Sequence, residues 1–327
     1  MSKIAIIGCG AWGTCFAKIC ADAGNEVLVW TREKDIAEEI NSNHTNHAYL
    51  KSVLLPEEIR ATQNPKDISW GEIVVSALPC QSLRSALPAF APVLESLDAP
   101  VVSLSKGMEK GSGKLPTQVI EECLRVPSDR VFALGGPNLA ALLAKEEPAA
   151  AQVAGTNKRA ADLAKTFSNP YYFVSDSSDP IGLQVWGALK NVAAIACGMA
   201  AGAGCGQNTA AVLISAALSE IEALSLKLGG RAETMEGAAG VGDLVCTASS
   251  RLSRNFSLGY RLGLGINVEE AAKGVKGVTE GKDTIDSALA LSEKYDSPMP
   301  LAEALKEAME GKSDFAALFS KVAGETA

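Results

Sequence analysis

The sequence predicts an α/β protein: a doubly wound parallel sheet in the N-terminal half, followed by a mostly α-helical C-terminal half. Three observations carry this expectation. Short apolar runs alternate with helical periodicities as far as about residue 153. The first run leads into a glycine-rich turn, Gly8-Cys9-Gly10-Ala11-Trp12-Gly13, that opens a helix. Beyond residue 179 the strand-like runs stop, and Ala-, Leu- and Glu-rich segments with helical spacing take over.

Each element follows from its own pattern. Residues 4–7 are a short apolar run, residues 14–23 a helix ended by Gly24, and residues 26–30 a second strand. That order is a βαβ unit, which requires a parallel sheet. Further strands are expected at 73–78, 101–104, 131–134 and 150–153, with helices such as 81–90 and 114–124 between them. The second half reads as helices at 182–203, 209–228, 232–236, 268–273, 284–295 and 300–309. The polar stretch 175–180, with Pro180 placed as a first-turn residue, sets the expected boundary. It divides the chain into domains at 1–178 and 179–327.

Composition narrows the function classes. The chain has 327 residues, 47% of them apolar and 21% charged, the balance of a soluble globular protein of two domains. A net charge of −8 argues against nucleic acid or an acidic membrane surface as partner. The eight cysteines are scattered without a Cys-x-x-Cys pair, and His44 and His47 are the only histidines. No metal site is therefore expected, and the thiols read as reduced and mostly buried. Met1-Ser2-Lys3-Ile4 runs straight into the first strand without a signal peptide. The apolar stretch 192–203 is too short to span a bilayer, so a cytoplasmic location is expected.

The glycine turn carries the first chemistry. Only glycine lets the backbone turn sharply at Gly8, a pyrophosphate approach at Gly10, and the helix pack close to its strand at Gly13. The free N–H groups of the helix start then bind phosphate. Following a strand and opening a helix, this is a Rossmann-type dinucleotide turn, and it points to NAD or NADP. The second strand ends in Trp30-Thr31-Arg32, without the acid that usually holds the adenine ribose. Arg32 can accept a 2′-phosphate or stack on adenine, which admits NADP; its alternative is a plain surface arginine.

Hydride delivery to a ketone needs a cationic or proton-donating group at the developing alkoxide. His44 and His47 lie in a polar loop and read as loop residues, which leaves lysine. Lys190 stands in a helix apolar on all sides, where it either snorkels or occupies a desolvated functional site. Lys106 directly follows a strand, where open α/β sheets bind ligands. Asp243, among glycines and apolar residues, reads as a charge partner for Lys190 or as a helix N-cap. Ser253-Arg254-Asn255 gathers a hydroxyl, a guanidinium fork and an amide; it suits a phosphate, or is a polar turn.

Together these segments resemble the NAD(P)-dependent glycerol-3-phosphate dehydrogenases of the bacterial type, over nearly the whole chain. The resemblance rests on Gly-x-Gly-x-Trp-Gly-Thr from Gly8, Ser-Lys-Gly at 105–107 and Gly-Gly-Pro at 135–137. It continues with Gly-Ala-Leu-Lys-Asn-Val at 187–192, Gly-x-Gly-Asp-Leu ending at Leu244, and Ser-Arg-Asn at 253–255. It implies reversible reduction of dihydroxyacetone phosphate to sn-glycerol 3-phosphate, feeding phospholipid synthesis, by a homodimer. It assigns Lys190 as the catalytic lysine and Asp243 as its partnered acid. Lys106, Gly136, Ser253, Arg254 and Asn255 match substrate-binding positions. Ala11, Trp12, Arg32, Lys106, Ala140, Arg254, Val278 and Glu280 match cofactor positions. Two positions depart from the family pattern: Asn138 stands where serine is usual and is kept as a substrate position, and Ala11 replaces a common serine, leaving its backbone N–H. The alternatives are a β-hydroxyacid or ketopantoate-type reductase, which would need a carboxylate clamp in place of Ser-Arg-Asn, and a catalytically silent dinucleotide sensor.

Overall fold

Lys3–Ile7 forms the first strand, β1, and four of its five side chains are buried, as expected of a parallel strand covered on both faces. Its alternating side chains feed two cores: Ile4 and Ile6 pack with Phe16 and Ile19 on one side, Ala5 and Ile7 with Leu83, Phe90 and Val119 on the other. In this computed structural model, which describes residues 1–275 and 280–326, the chain forms two units. One comprises Met1–Ser105 and Pro116–Pro180, the other Lys106–Leu115 and Ile181–Ala327.

The first unit is built on an eight-stranded sheet. After β1 come β2 (Glu26–Trp30), β3 (Ile59–Thr62), β4 (Ile73–Ser76), β5 (Val101–Ser103), β6 (Val131–Gly135), β7 (Ala149–Ala154) and β8 (Tyr172–Ser177). Their spatial order is β3-β2-β1-β4-β5-β6-β7-β8. The chain therefore reverses direction across the sheet between β1 and β4, with Ile4 opposite both Val27 and Ile73. In such sheets this reversal opens a ligand crevice beyond the carboxyl ends of the strands. Its helices are α1 (Ala11–Asp22), α2 (Lys34–Asn43), the single turns α3 (Leu83–Ala86) and α4 (Ala91–Leu94), α5 (Pro116–Leu124), the turn α6 (Ala140–Leu143) and α7 (Arg159–Phe167).

The doubly wound sheet is as expected, and the structure adds two details to it. It is mixed rather than wholly parallel, because β6 and β7 run antiparallel, with Ala133 opposite Ala154. The link between them carries only the four-residue α6, so it turns the chain back instead of crossing the sheet. It also holds two strands that the apolar pattern does not show, β3 (Ile-Arg-Ala-Thr) and β8. Both lie at the edges, where one neighbour is missing and polar side chains are tolerated. Where a helix is expected over 81–90, the backbone instead steps through α3 and short 3-10 turns.

The second unit is helical: α8 (Pro180–Gly202), α9 (Gln207–Lys227), α10 (Glu233–Glu236), α11 (Asp243–Ser249), α12 (Arg254–Gly263), α13 (Val268–Lys273), α14 (Glu280–Tyr295), α15 (Pro300–Met309) and α16 (Phe315–Thr326). Its centre is α8, buried from Gly182 to Ala200. Gly198 and Gly202 on α8 face Gly259 and Gly263 on α12. A Cβ at Gly198 would fall 2.1 Å from the Phe256 carbonyl oxygen, and one at Gly259 would fall 1.9 Å from that of Ile195. The two backbones touch, which only glycine permits. By length and composition α8 and α9 could each cross a bilayer, although the run 192–203 alone is too short. In α8 that apolar character goes into the core, since 89% of its apolar window is buried.

Candidate active site

The dinucleotide turn sits at the end of β1. Gly8 has φ +107° and donates its N–H to the Trp30 carbonyl at 2.9 Å, closing the turn against β2. A Cβ on Gly13 would lie 2.2 Å from the Gly8 carbonyl oxygen, so α1 rests directly on the turn. Around Gly10 there is open space instead, with nothing within 4 Å of an added Cβ. Gly10 is the N-cap of α1 and offers no side chain, which leaves the first-turn N–H groups at Ala11, Trp12 and Gly13 for a ligand. The Trp12 indole Nε1 is buried with no partner. An orphaned donor beside an open helix N-terminus fits a dinucleotide phosphate or amide.

Other predicted positions in this unit divide by what holds them. Arg32 is exposed just past β2, its side chain reaching solvent. Gly136 has φ +147° and is pressed against β7; a Cβ would meet the Ala150 carbonyl at 2.8 Å. Asn138 accepts from the Tyr172 hydroxyl at 2.9 Å through Oδ1, while its Nδ2 is buried and unpartnered, a donor presented to a ligand. Ala140 begins α6. His44 caps α2 and His47 bonds Glu39, so both serve the loop.

The second unit gathers the ionic centre. Lys190 projects from α8, Lys106 from the 106–115 segment, and Asp243 opens α11. Lys106 Nζ donates to Asp243 Oδ2 at 2.6 Å, and Lys190 Nζ donates to Asp243 Oδ1. Lys190 also donates to Thr247 Oγ1 at 2.7 Å. Asp243 is 1% exposed and Lys190 5%. Asp243 thus clamps two ammonium groups rather than capping its helix. Burial brings the Lys190 ammonium down from its usual 10.5 to about 8; the Asp243 charge opposes the drop and the like charge of Lys106 adds to it. Thr247 is a member of this centre that the sequence reading missed. Its signal is the Asp243-x-x-x-Thr247 spacing, which sets both side chains on one face of a helix.

Ser253-Arg254-Asn255 starts a helix that the sequence reading left as a turn. Ser253 is the N-cap of α12 and accepts from the Phe256 N–H at 3.2 Å. Asn255 is buried and its Oδ1 accepts from the Gly281 N–H at 3.1 Å, which leaves Nδ2 as its hydrogen-bond donor. A Cβ on Gly281 would also lie 3.0 Å from the Asn191 carbonyl oxygen, so Asn255 is packed next to the segment carrying Lys190. Arg254 is exposed. Glu280 begins α14, and Val278 lies outside the described residues.

Two family models cover the chain: NAD-dependent glycerol-3-phosphate dehydrogenase N-terminus over residues 3–161 and C-terminus over residues 179–320. A glycerol-3-phosphate dehydrogenase [NAD(P)+] of Corynebacterium aurimucosum is 44% identical over 93% of this chain and 92% of its own. The chain belongs to the NAD(P)-dependent glycerol-3-phosphate dehydrogenase family. One of Bifidobacterium longum subsp. infantis is 43% identical over 99% of both chains. The crystal structure of the Coxiella burnetii glycerol-3-phosphate dehydrogenase matches with a TM-score of 0.90 at 30% identity over 98% of each chain. A ketopantoate reductase of Ralstonia solanacearum matches at 16% identity and a TM-score of 0.60, a likeness of fold alone. As a glycerol-3-phosphate dehydrogenase family member the chain is an NAD(P)-dependent oxidoreductase acting on a CH–OH donor.

Proposed function

We propose that the chain reversibly reduces dihydroxyacetone phosphate to sn-glycerol 3-phosphate with NAD(P)H, and so supplies glycerophospholipid synthesis. The observation that carries this reading is the buried carboxylate of Asp243 holding the ammonium groups of Lys106 and Lys190. Bound NAD(P)H supplies the hydride. Lys190 has three N–H donors; Asp243 and Thr247 engage two of them. The third is left for the carbonyl oxygen, where it stabilises the forming alkoxide and then delivers the proton. Asp243 orients Lys190 and offsets its repulsion from Lys106. Arg254, with Ser253 Oγ and Asn255 Nδ2, takes the phosphate, whose binding energy positions the carbonyl. Gly136 and Asn138 complete the substrate contacts.

The cofactor is assigned to Gly8, Gly10, Ala11, Trp12, Gly13, Arg32, Lys106, Ala140, Arg254, Val278 and Glu280, with Arg32 accommodating NADPH. The first domain is accordingly the dinucleotide-binding part and the second the substrate-binding and catalytic part. A cytoplasmic homodimer is the proposed working form. It is supported by α9, whose apolar window is only 39% buried within this chain and suits a second copy.

The test follows the loss of the reduced-cofactor absorbance with dihydroxyacetone phosphate and, in parallel, with 2-keto acids. Turnover is expected with the phosphorylated ketone, with NADH and NADPH compared side by side. Turnover confined to 2-keto acids would favour the ketopantoate-type alternative, and none with either ketone would favour the silent sensor.

A further inference from the structure

The second unit contains a cavity of about 370 Å³ lined by two arginines that the proposed reaction does not use, Arg251 and Arg261, and by one that it does, Arg254. Arg251, Arg254 and Arg261 line it together with Phe256, Tyr260 and Gly274. Three arginines line this one cavity in a chain whose net charge is −8. Among the described residues none of the three enters an ion pair. Like charges gathered without a counter-charge repel one another, and an anion in the cavity relieves that repulsion.

Two of the arginines are held in place by the fold. The Arg251 guanidinium sits 5.1 Å from the Tyr260 ring centroid, a cation–π contact that fixes its head. Arg261 is pressed against Gly274, where an added Cβ would fall 2.3 Å from Cζ and 2.6 Å from Nε. The Nε of Arg261 is buried and has no hydrogen-bond partner. A buried donor without a partner destabilises the site, a penalty that a bound acceptor removes.

We propose that Arg251 and Arg261, with Arg254 at the edge, form a binding site for a phosphate dianion. Guanidinium forks match the paired oxygens of phosphate, and the aromatic walls leave room for a small organic group on a phosphate ester. Arg254 is also assigned to the substrate phosphate, so an anion in the cavity draws that arginine away and weakens substrate binding. The shared chemistry is the phosphate dianion, and its source is either free inorganic phosphate or a phosphate ester.

The test is calorimetric titration of the full-length protein with inorganic phosphate and, separately, with phenyl phosphate, an ester that is neither substrate nor product of the proposed reaction. The variants are Arg251→Gln/Arg261→Gln, Gly274→Ala and Lys190→Met. The double variant is expected to weaken binding of inorganic phosphate roughly tenfold or more. Gly274→Ala keeps all three charges but displaces the Arg261 head, and it should weaken binding in the same direction. Lys190→Met, which tests the reductase reading, should leave phosphate binding within about twofold, so the two readings fail separately. A free-phosphate source shows as equal weakening for both titrants; an ester source shows as a larger loss for phenyl phosphate. Unchanged phosphate binding in the double variant, or no binding by the parent protein at millimolar phosphate, overturns the proposal. Thermal melting of each variant at the parent's midpoint shows that folding is not the cause, and Arg251→Gln alone, at an exposed side chain, serves if the double variant melts early.

Discussion

Replacing Lys190 by Met removes the ammonium and keeps a straight apolar stem in a site that is 5% exposed. The carboxylate of Asp243 keeps its 2.6 Å bond from Lys106, so the change does not strand a buried charge. Removing a proton donor that also stabilises the alkoxide lowers turnover by about 10²–10⁴-fold. Stability gives an independent readout. The Lys190 ammonium titrates near 8 in the folded protein against 10.5 ordinarily. Between those values the unfolded chain holds a proton that the folded chain has released, so stability rises with pH across this window. This pH-dependent gain is present in the parent and absent in Lys190→Met. Urea unfolding of both proteins from pH 7 to 10.5 measures the difference, and initial rates with dihydroxyacetone phosphate measure the first effect. Turnover within about tenfold of the parent, in a variant that still binds NAD(P)H, would refute the catalytic role. Parallel stability curves would refute the burial argument.

Further outcomes follow from the same geometry. Gly198→Ala should destabilise by about 1–3 kcal/mol in urea unfolding, because its Cβ has no room against the Phe256 carbonyl. Gly10→Ala meets nothing within 4 Å, so melting should stay put, while NAD(P)H affinity, read by quenching of protein fluorescence, falls roughly tenfold. Arg32→Ala should raise KM for NADPH by roughly tenfold and leave that for NADH within about twofold; equal effects on both would return Arg32 to a plain surface residue.

Much of the fold was legible because parallel strands buried on both faces leave continuous apolar runs. The second strand, expected over 26–30, is Glu26–Trp30, and the helix expected over 300–309 is Pro300–Met309. The strand β3 was invisible because an edge position accepts Arg60 and Thr62. The helix α12 was missed for a different reason. Glycine is a poor helix former, yet Gly259 and Gly263 are the positions where α12 touches α8. Lys190 and Asp243 stood out as charges in apolar surroundings. Thr247 did not, since a threonine in a helix is unremarkable until its partner is known. The place of Lys106 in the helical unit is a matter of tertiary contact, and no local pattern encodes it.

The crossing of α8 and α12 has a consequence for substrate choice. With carbonyl oxygens about 2 Å from the positions a Cβ would take, neither helix can slide on the other. Lys190 rides on one helix and Ser253-Arg254-Asn255 stands at the start of the other. On the proposed assignment the backbone anchors of the groups that meet the reacting oxygen and the phosphate therefore keep a fixed spacing, while the exposed Arg254 side chain can still move. A ketone with one carbon more or fewer between carbonyl and phosphate is then disfavoured by length.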